Sequence, residues 1–143
     1  MGRISYLLDS NILSEPARLK PNTHVLQQFS NHDGCYATAA IVWHELVYCC
    51  ELLQASKRKE LLQAYLEMLV TNGLIILPYD QLAADWYAKE RARLQLQGKT
   101  CAYADGEIAA IAVSNKLTLV TRNIQDFQNF QNFQNLSLQN WFD

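Results

Sequence analysis

Asp9, Glu45 and Asp105 are the residues of this chain whose positions invite a chemical reading, because each interrupts or ends an apolar stretch. Asp9 closes the run Ser5-Tyr6-Leu7-Leu8 and is followed by Ser10 and Asn11. A buried strand there would deliver a carboxylate, a hydroxyl and an amide at its C-terminal end, the edge where open parallel sheets form their sites. The plainer alternative is a strand and a turn, since Asp, Ser and Asn are ordinary turn and N-cap residues. Glu45 lies three and four residues from Ile41, Val42, Tyr48 and Cys49, which places it in the apolar face of a helix beginning at Ala40. A carboxylate in such a face is costly to bury unless it is paired. A salt bridge, or a helix turned so that Glu45 sits at the edge of the stripe, would remove that cost. Asp105 opens an Ala/Ile-rich helix and shares a face with Ile108, Ala109 and Ala112, whereas Glu107 points the opposite way. Its plain role is as a dipole partner, worth about 0.3–1 kcal/mol.

Three inward carboxylates from separate elements, with no matching set of buried basic residues, would repel one another. A divalent cation resolves the conflict, and hard oxygen ligands with retained waters suit Mg²⁺ or Mn²⁺. A fourth contributor should follow the apolar run Leu117 to Thr121, where Asn123 and Asp126 are both candidates; either could instead cap the next turn. Other chemistries fit worse. His44-Glu45-Leu46-Val47-Tyr48 fails the zinc-protease pattern at its last position, and neither a phosphate-binding nor a dinucleotide-binding glycine loop is present. No serine sits in a nucleophile elbow, and His24, His32 and His44 are scattered.

The elements that would position these groups alternate along the chain. Residues 4–8, Cys35 to Thr38, Leu74 to Leu77 and Leu117 to Thr121 read as short strands, with Leu74-Ile75-Ile76-Leu77 the clearest buried one. Helices are expected from Asn22 to about His32, over Ala40 to Leu53, along Leu61, Leu62, Tyr65, Leu66 and Leu69 up to Gly73, from Asp80 to Gly98, and from Ala104 to about Asn115. The expected inner stripe of the helix after Asp80 is Leu82, Ala83, Trp86, Tyr87 and Leu94. Strands alternating with helices predict an α/β fold of three layers around a parallel sheet. The triplets Gln128-Asn129-Phe130, Gln131-Asn132-Phe133 and Gln134-Asn135-Leu136 do not hold one helix face, so they read as a turn or irregular extension before a last strand near Leu136 to Leu138.

At 143 residues the chain is most simply one domain, residues 1–143, and half its residues are apolar. The formal charge of −2 excludes a broadly basic nucleic-acid binder, so a polyanionic substrate would have to be met by local basic patches and metal ions. Cys35, Cys49, Cys50 and Cys101 show neither metal-ligand spacing nor a disulfide framework, which suits a reduced compartment. The first apolar run is too short for a signal peptide, and no stretch is long enough to span a membrane; a soluble, cytoplasmic protein is expected.

Taken in order, Leu7-Leu8-Asp9-Ser10-Asn11, Trp43-His44-Glu45-Leu46, Asp105-Gly106-Glu107-Ile108-Ala109-Ala110 and Val120-Thr121-Arg122-Asn123-Ile124-Gln125-Asp126-Phe127 resemble the PIN domain, and within it the VapC-type toxins of bacterial toxin–antitoxin pairs. Ser10 replaces the more usual Thr, and Asn123 stands where Asp is common. The resemblance implies a central parallel sheet of four or five short strands with helices on both faces, and a metal-dependent endoribonuclease. In that reading Asp9 and Asp105 hold Mg²⁺ (Mn²⁺ can substitute), Glu45 helps position the ion or its water, and Asn123 or Asp126 supports the site. A metal-activated water would attack the phosphodiester and leave 5′-phosphate and 3′-hydroxyl ends. Ser10 and Asn11, beside Asp9, would meet the substrate. Arg18, Lys20, Arg91, Arg93 and Lys99 are candidates for the RNA backbone, with Arg18 and Lys20 preferred because they follow the Asp9 strand closely. Implied partners are RNA, a VapB-type antitoxin, and a second copy of the chain or a toxin–antitoxin hetero-oligomer. Two alternatives stand beside this reading: a non-catalytic binding module whose carboxylates pair with a partner's arginines, and a PIN nuclease of RNA processing without an antitoxin.

Overall fold

The computed structural model describes residues 3–131 and 136–143. Five short strands form one sheet: β1 (Tyr6–Leu8), β2 (Tyr36–Ala39), β3 (Ile75–Leu77), β4 (Thr118–Val120) and β5 (Leu138–Gln139). Their order is β3-β2-β1-β4-β5 and every pairing is parallel, with Leu7 opposite Ala37 on one side and Leu119 on the other. The helices are α1 (Ser10–Leu13), α2 (Thr23–Asn31), α3 (Ala40–Leu52), α4 (Lys57–Thr71), α5 (Gln81–Leu96), α6 (Tyr103–Ser114) and α7 (Gln128–Gln131). The expected α/β fold with a parallel sheet is the one observed.

The strand order fixes where a site can form. From β1 the chain moves outward to β2 and then β3, returns through α5 and α6, and enters β4 on the other side of β1. Right-handed crossovers in opposite directions put their helices on opposite faces of the sheet and open a crevice between β1 and β4, at their C-terminal ends. Asp9 and Thr121 are the residues that emerge there.

Local signals explain the element ends. Asn22 Oδ1 accepts from Val25 N–H at 3.0 Å and Asp80 Oδ1 from Ala83 N–H at 3.0 Å, starting α2 and α5. Gly73 follows α4 at φ +85°, a conformation that stops a helix at little cost only when no Cβ is present.

Three expectations are corrected. The run at Leu74 to Leu77 is a strand but not a fully buried one: β3 is the sheet edge, and Ile75 is 44% exposed. In α3 the buried stripe is Val42, Leu46 and Cys50, whereas Val47, Tyr48 and Leu52 face outward. So many residues of that segment are apolar that two stripes fit the helical spacing, and the contacts of α3 with α1, α4 and α6 select one of them. In α5 the inner face includes Glu90, fully buried, and Leu82 is exposed.

Glu90 pairs with Arg93 one turn later, and Arg93 also donates to the Asn129 carbonyl at 3.1 Å, tying α5 to α7. Phe130 of α7 is buried against Trp86 and Tyr87, so the first triplet of the repeat is helical rather than irregular. Residues 132–135, the middle of the repeat, lie outside the described residues. Trp141 docks the C-terminal segment among Tyr6, Phe29 and Tyr36. Gly106 explains the close approach of α5 and α6: a Cβ on it would overlap the Tyr87 ring.

Candidate functional site

Asp9 is held by the sheet itself. Its N–H donates to the Val120 carbonyl at 2.9 Å, which carries the β1–β4 ladder one residue past β1. Its side chain then caps α1, Oδ1 accepting from Ser10 N–H at 2.8 Å, while Oδ2 accepts from the Thr121 hydroxyl at 2.8 Å. The Thr121 oxygen also accepts from Asn123 N–H at 3.1 Å, so one fully buried hydroxyl orients the carboxylate across the crevice and pins the turn after β4. Burial pushes the Asp9 pKa up, the hydrogen bonds from Thr121 and Ser10 pull it back, and the charge of Asp126 raises it further.

Asp105 sits in the first turn of α6, partly buried. Its pKa is raised to about 6, first by loss of solvent and then by the negative charges of Asp9 and Asp126. The structure thus brings Asp9, Asp105 and Asp126 into one electrostatic group, with no cation among the causes of either shift. Asp126 is exposed in the 3-10 turn Ile124–Phe127. Asn123 precedes that turn and contributes its backbone N–H to Thr121, while its side chain makes no capping bond.

Glu45 is placed differently from the expectation. Because Val42, Leu46 and Cys50 turn inward, the Glu45 side chain is 51% exposed, with His44 Nε2 3.9 Å away. It is not among the charges acting on Asp9 or Asp105. Asn11 uses its Oδ1 to accept from Arg122 N–H at 3.1 Å, binding α1 to the turn after β4. Ser10, which follows Asp9 directly, is partly exposed. Arg18 leans on buried Glu15 at 3.7 Å, and Lys20 is exposed two residues on. Arg91 lies over the Tyr103 ring, 5.1 Å from its centre, and Arg93 belongs to the Glu90 pair.

The residue that sequence reasoning passed over is Thr121. A β-branched hydroxyl at the last position of an apolar strand is a visible signal, but its value depends on β4 lying next to β1, which no local pattern states. Among the described residues no three His, Cys, Asp or Glu side chains already converge as a metal cage. The carboxylate oxygens of Asp9 and Asp105 nevertheless suit a hard cation that keeps waters and takes one or two protein carboxylates. An apolar groove of about 490 Å³ between α3 and α4, lined by Trp43, Val47, Cys50, Leu66 and Val70, contains none of these aspartates. No helix among the described residues is long and apolar enough to cross a membrane.

A model of the PIN domain matches residues 6–132 of this chain. The toxin FitB of Neisseria gonorrhoeae is 37% identical over 125 residues, 85% of this chain and 89% of that protein. The tRNA(fMet)-specific endonuclease VapC of Shigella flexneri is 31% identical over 124 residues, 87% of this chain and 90% of its own length. Among solved structures, FitAB bound to an IR36 DNA fragment superposes with a TM-score of 0.82 at 31% identity, over 96% of each chain.

Proposed function

Because this chain belongs to the PIN-domain family, we propose that it is an endoribonuclease, the toxin of a toxin–antitoxin pair, and that it cuts RNA with the help of Mg²⁺ or Mn²⁺. The observation that carries the reading is the negative charge of Asp9, together with that of Asp126, acting on partly buried Asp105 at the β1–β4 crevice, with no cation among the described residues offsetting it. Relatives named as ribonucleases, and a toxin of similar length, support the class of reaction. The charge pattern fits a phosphodiester substrate only if a cation intervenes, since the chain carries −2 overall.

Asp9 and Asp105 would hold the ion, which lowers the pKa of a bound water and stabilises charge developing on the phosphate. Thr121 and Ser10 N–H keep the Asp9 carboxylate in one orientation, so its lone pairs stay directed into the crevice. Asp126 adds negative charge from the turn after β4, and Asn123 shapes that turn; of the two, Asp126 is the one electrically linked to the pair. Glu45, half exposed on α3, would act on the site through water rather than as a direct ligand. Ser10 lies beside Asp9 at the mouth and is a substrate contact in this reading. Asn11, whose side-chain oxygen is already engaged, serves the frame. Arg18 and Lys20 would meet the RNA backbone in this reading, and their loss should weaken cleavage partially and in a salt-sensitive way.

The partner is a VapB-type antitoxin, and the exposed apolar residues Val47, Tyr48, Leu52, Met68 and Val70 of α3 and α4 offer surface for it or for a second copy of the chain. The compartment is the cytoplasm. The test is cleavage of a labelled RNA by purified protein with Mg²⁺, with EDTA and as Asp9→Asn. Cutting should appear with Mg²⁺ and vanish in the other two arms; cutting that survives both would remove the metal mechanism.

A further inference from the structure

Arg122 directly follows Thr121, whose hydroxyl holds Asp9, and its surroundings differ from those of an ordinary surface charge. Its backbone N–H donates to Asn11 Oδ1, and the next N–H, of Asn123, donates to the Thr121 oxygen that holds Asp9. The backbone at Arg122 is therefore fixed to both walls of the β1–β4 crevice. The residue is exposed, yet its guanidinium lies over one partner, its central carbon 4.3 Å from the centre of the Phe142 ring. No carboxylate stands within ion-pair distance of it among the described residues.

Phe142 is itself well anchored. It follows Trp141, which is 1% exposed and stacks on His32, and its N–H donates to Asn140 Oδ1 at 2.9 Å. The Trp141 carbonyl is 2.7 Å from His24 Nδ1. Thr121 N–H donates to the Gln139 carbonyl, so the ring lies just past the C-terminal end of β5, on the same sheet edge as Asp9.

A guanidinium laid on an aromatic face keeps its N–H edge free for two parallel bonds to an anion and has already lost much of its side-chain freedom. Arg18 and Arg93 are paired with Glu15 and Glu90; Arg91 lies over Tyr103 much as Arg122 lies over Phe142, but Arg91 is in α5, whereas Arg122 is in the turn whose backbone is tied to Asn11 and to the hydroxyl that holds Asp9. An incoming polyanion meets a negative cluster in a negative chain, so a preset cation on the turn that holds Asp9 has a clear use. We propose that Arg122, supported by Phe142, is a phosphate-binding subsite that grips the RNA phosphodiester neighbouring the one that is cut. This inference rests on the ribonuclease reading above and adds to it a residue and a platform that hold the strand.

The experiment is steady-state cleavage of a 5′-labelled single-stranded RNA oligonucleotide over a range of KCl concentrations. It compares wild type, Arg122→Gln, Arg122→Lys and Phe142→Leu, with binding of the same RNA measured by anisotropy in the Asp9→Asn background. Arg122→Gln should raise KM about tenfold, with a smaller fall in kcat, and lower the slope of log affinity against log salt by about one. Arg122→Lys should restore the salt slope but only part of KM, because the ammonium is a point charge that does not stack flat. Phe142→Leu should raise KM severalfold and leave the salt slope as it was. Unchanged KM and salt slope in Arg122→Gln, alongside active wild type, overturn the subsite. Wild type that cuts no RNA under any metal condition brings down the ribonuclease reading and this subsite with it, an outcome distinguishable from the first.

Discussion

Glu15 and Glu90 are buried at least as deeply as Asp9, yet each has a basic partner close in sequence, although at Glu90 only Oε1 is bonded and Oε2 finds no hydrogen-bond partner among the described residues. Glu15 accepts from Asn22 N–H at 2.8 Å and has Arg18 beside it; Glu90 has Arg93 one turn on. At the β1–β4 crevice Asp9 has hydrogen bonds but, among the described residues, no cation, and the charge that acts on it is another aspartate, Asp126. A buried carboxylate with a basic partner serves the architecture, because the pair answers its own desolvation. A carboxylate whose nearest charges share its sign has an unanswered cost, and something absent from the chain must meet it.

The sharpest way to break this contrast is Asp105→Asn. Removing a repelling charge should leave the melting temperature unchanged or higher, while RNA cleavage falls on the order of 10²–10³-fold, the size typical of losing one charge-stabilising group. Lower stability, with cleavage retained, would place Asp105 in the structural class. The opposite experiment is Arg93→Ala, which strands Glu90. It should destabilise the protein by about 3–5 kcal/mol in urea unfolding and leave the cleavage rate per folded molecule unaltered. Thr121→Val keeps the shape and removes the hydroxyl that orients Asp9. Cleavage should drop about 10–100-fold with a higher Mg²⁺ requirement, a readout that packing alone would not move. Last and smallest is the pH dependence of the metal-free protein. The pKa of Asp105 in the folded state, about 6, exceeds its ordinary 3.8, so the folded chain keeps a proton that the unfolded chain releases. The stability this contributes is present below pH 4 and lost as pH rises through 6. The melting temperature relative to Asp105→Asn should therefore fall between pH 4 and 6, and Mg²⁺ should recover more of it at pH 7 than at pH 5.

The sequence was informative where chemistry is local. Asp80 and Asn22 announced their helices, Gly73 and Gly98 ended theirs, and the strand ending in Asp9 was visible because apolar residues stop abruptly at polar ones. It misled where a side chain's meaning depends on which neighbour arrives. Leu74 to Leu77 is as apolar as a central strand, but pairing on one side only makes it an edge. Glu45 fits an apolar stripe in a helix so rich in apolar residues that a rotated stripe is the one buried. Thr121 and Arg122 gain their importance from β4 lying beside β1 and β5 beside β4, information held by the topology rather than by any short window.

The missing side chain at Gly106 carries a consequence for how such a protein can be disarmed. Asp105 is the preceding residue, and Tyr87 occupies the space where a methyl group at position 106 would sit. One added carbon would push α5 from α6 at the turn that presents Asp105, so every acidic residue could persist in a chain that no longer aligns them. In cells forced to survive the active protein, escape should therefore arise through alanine or serine at this position as readily as through loss of a carboxylate.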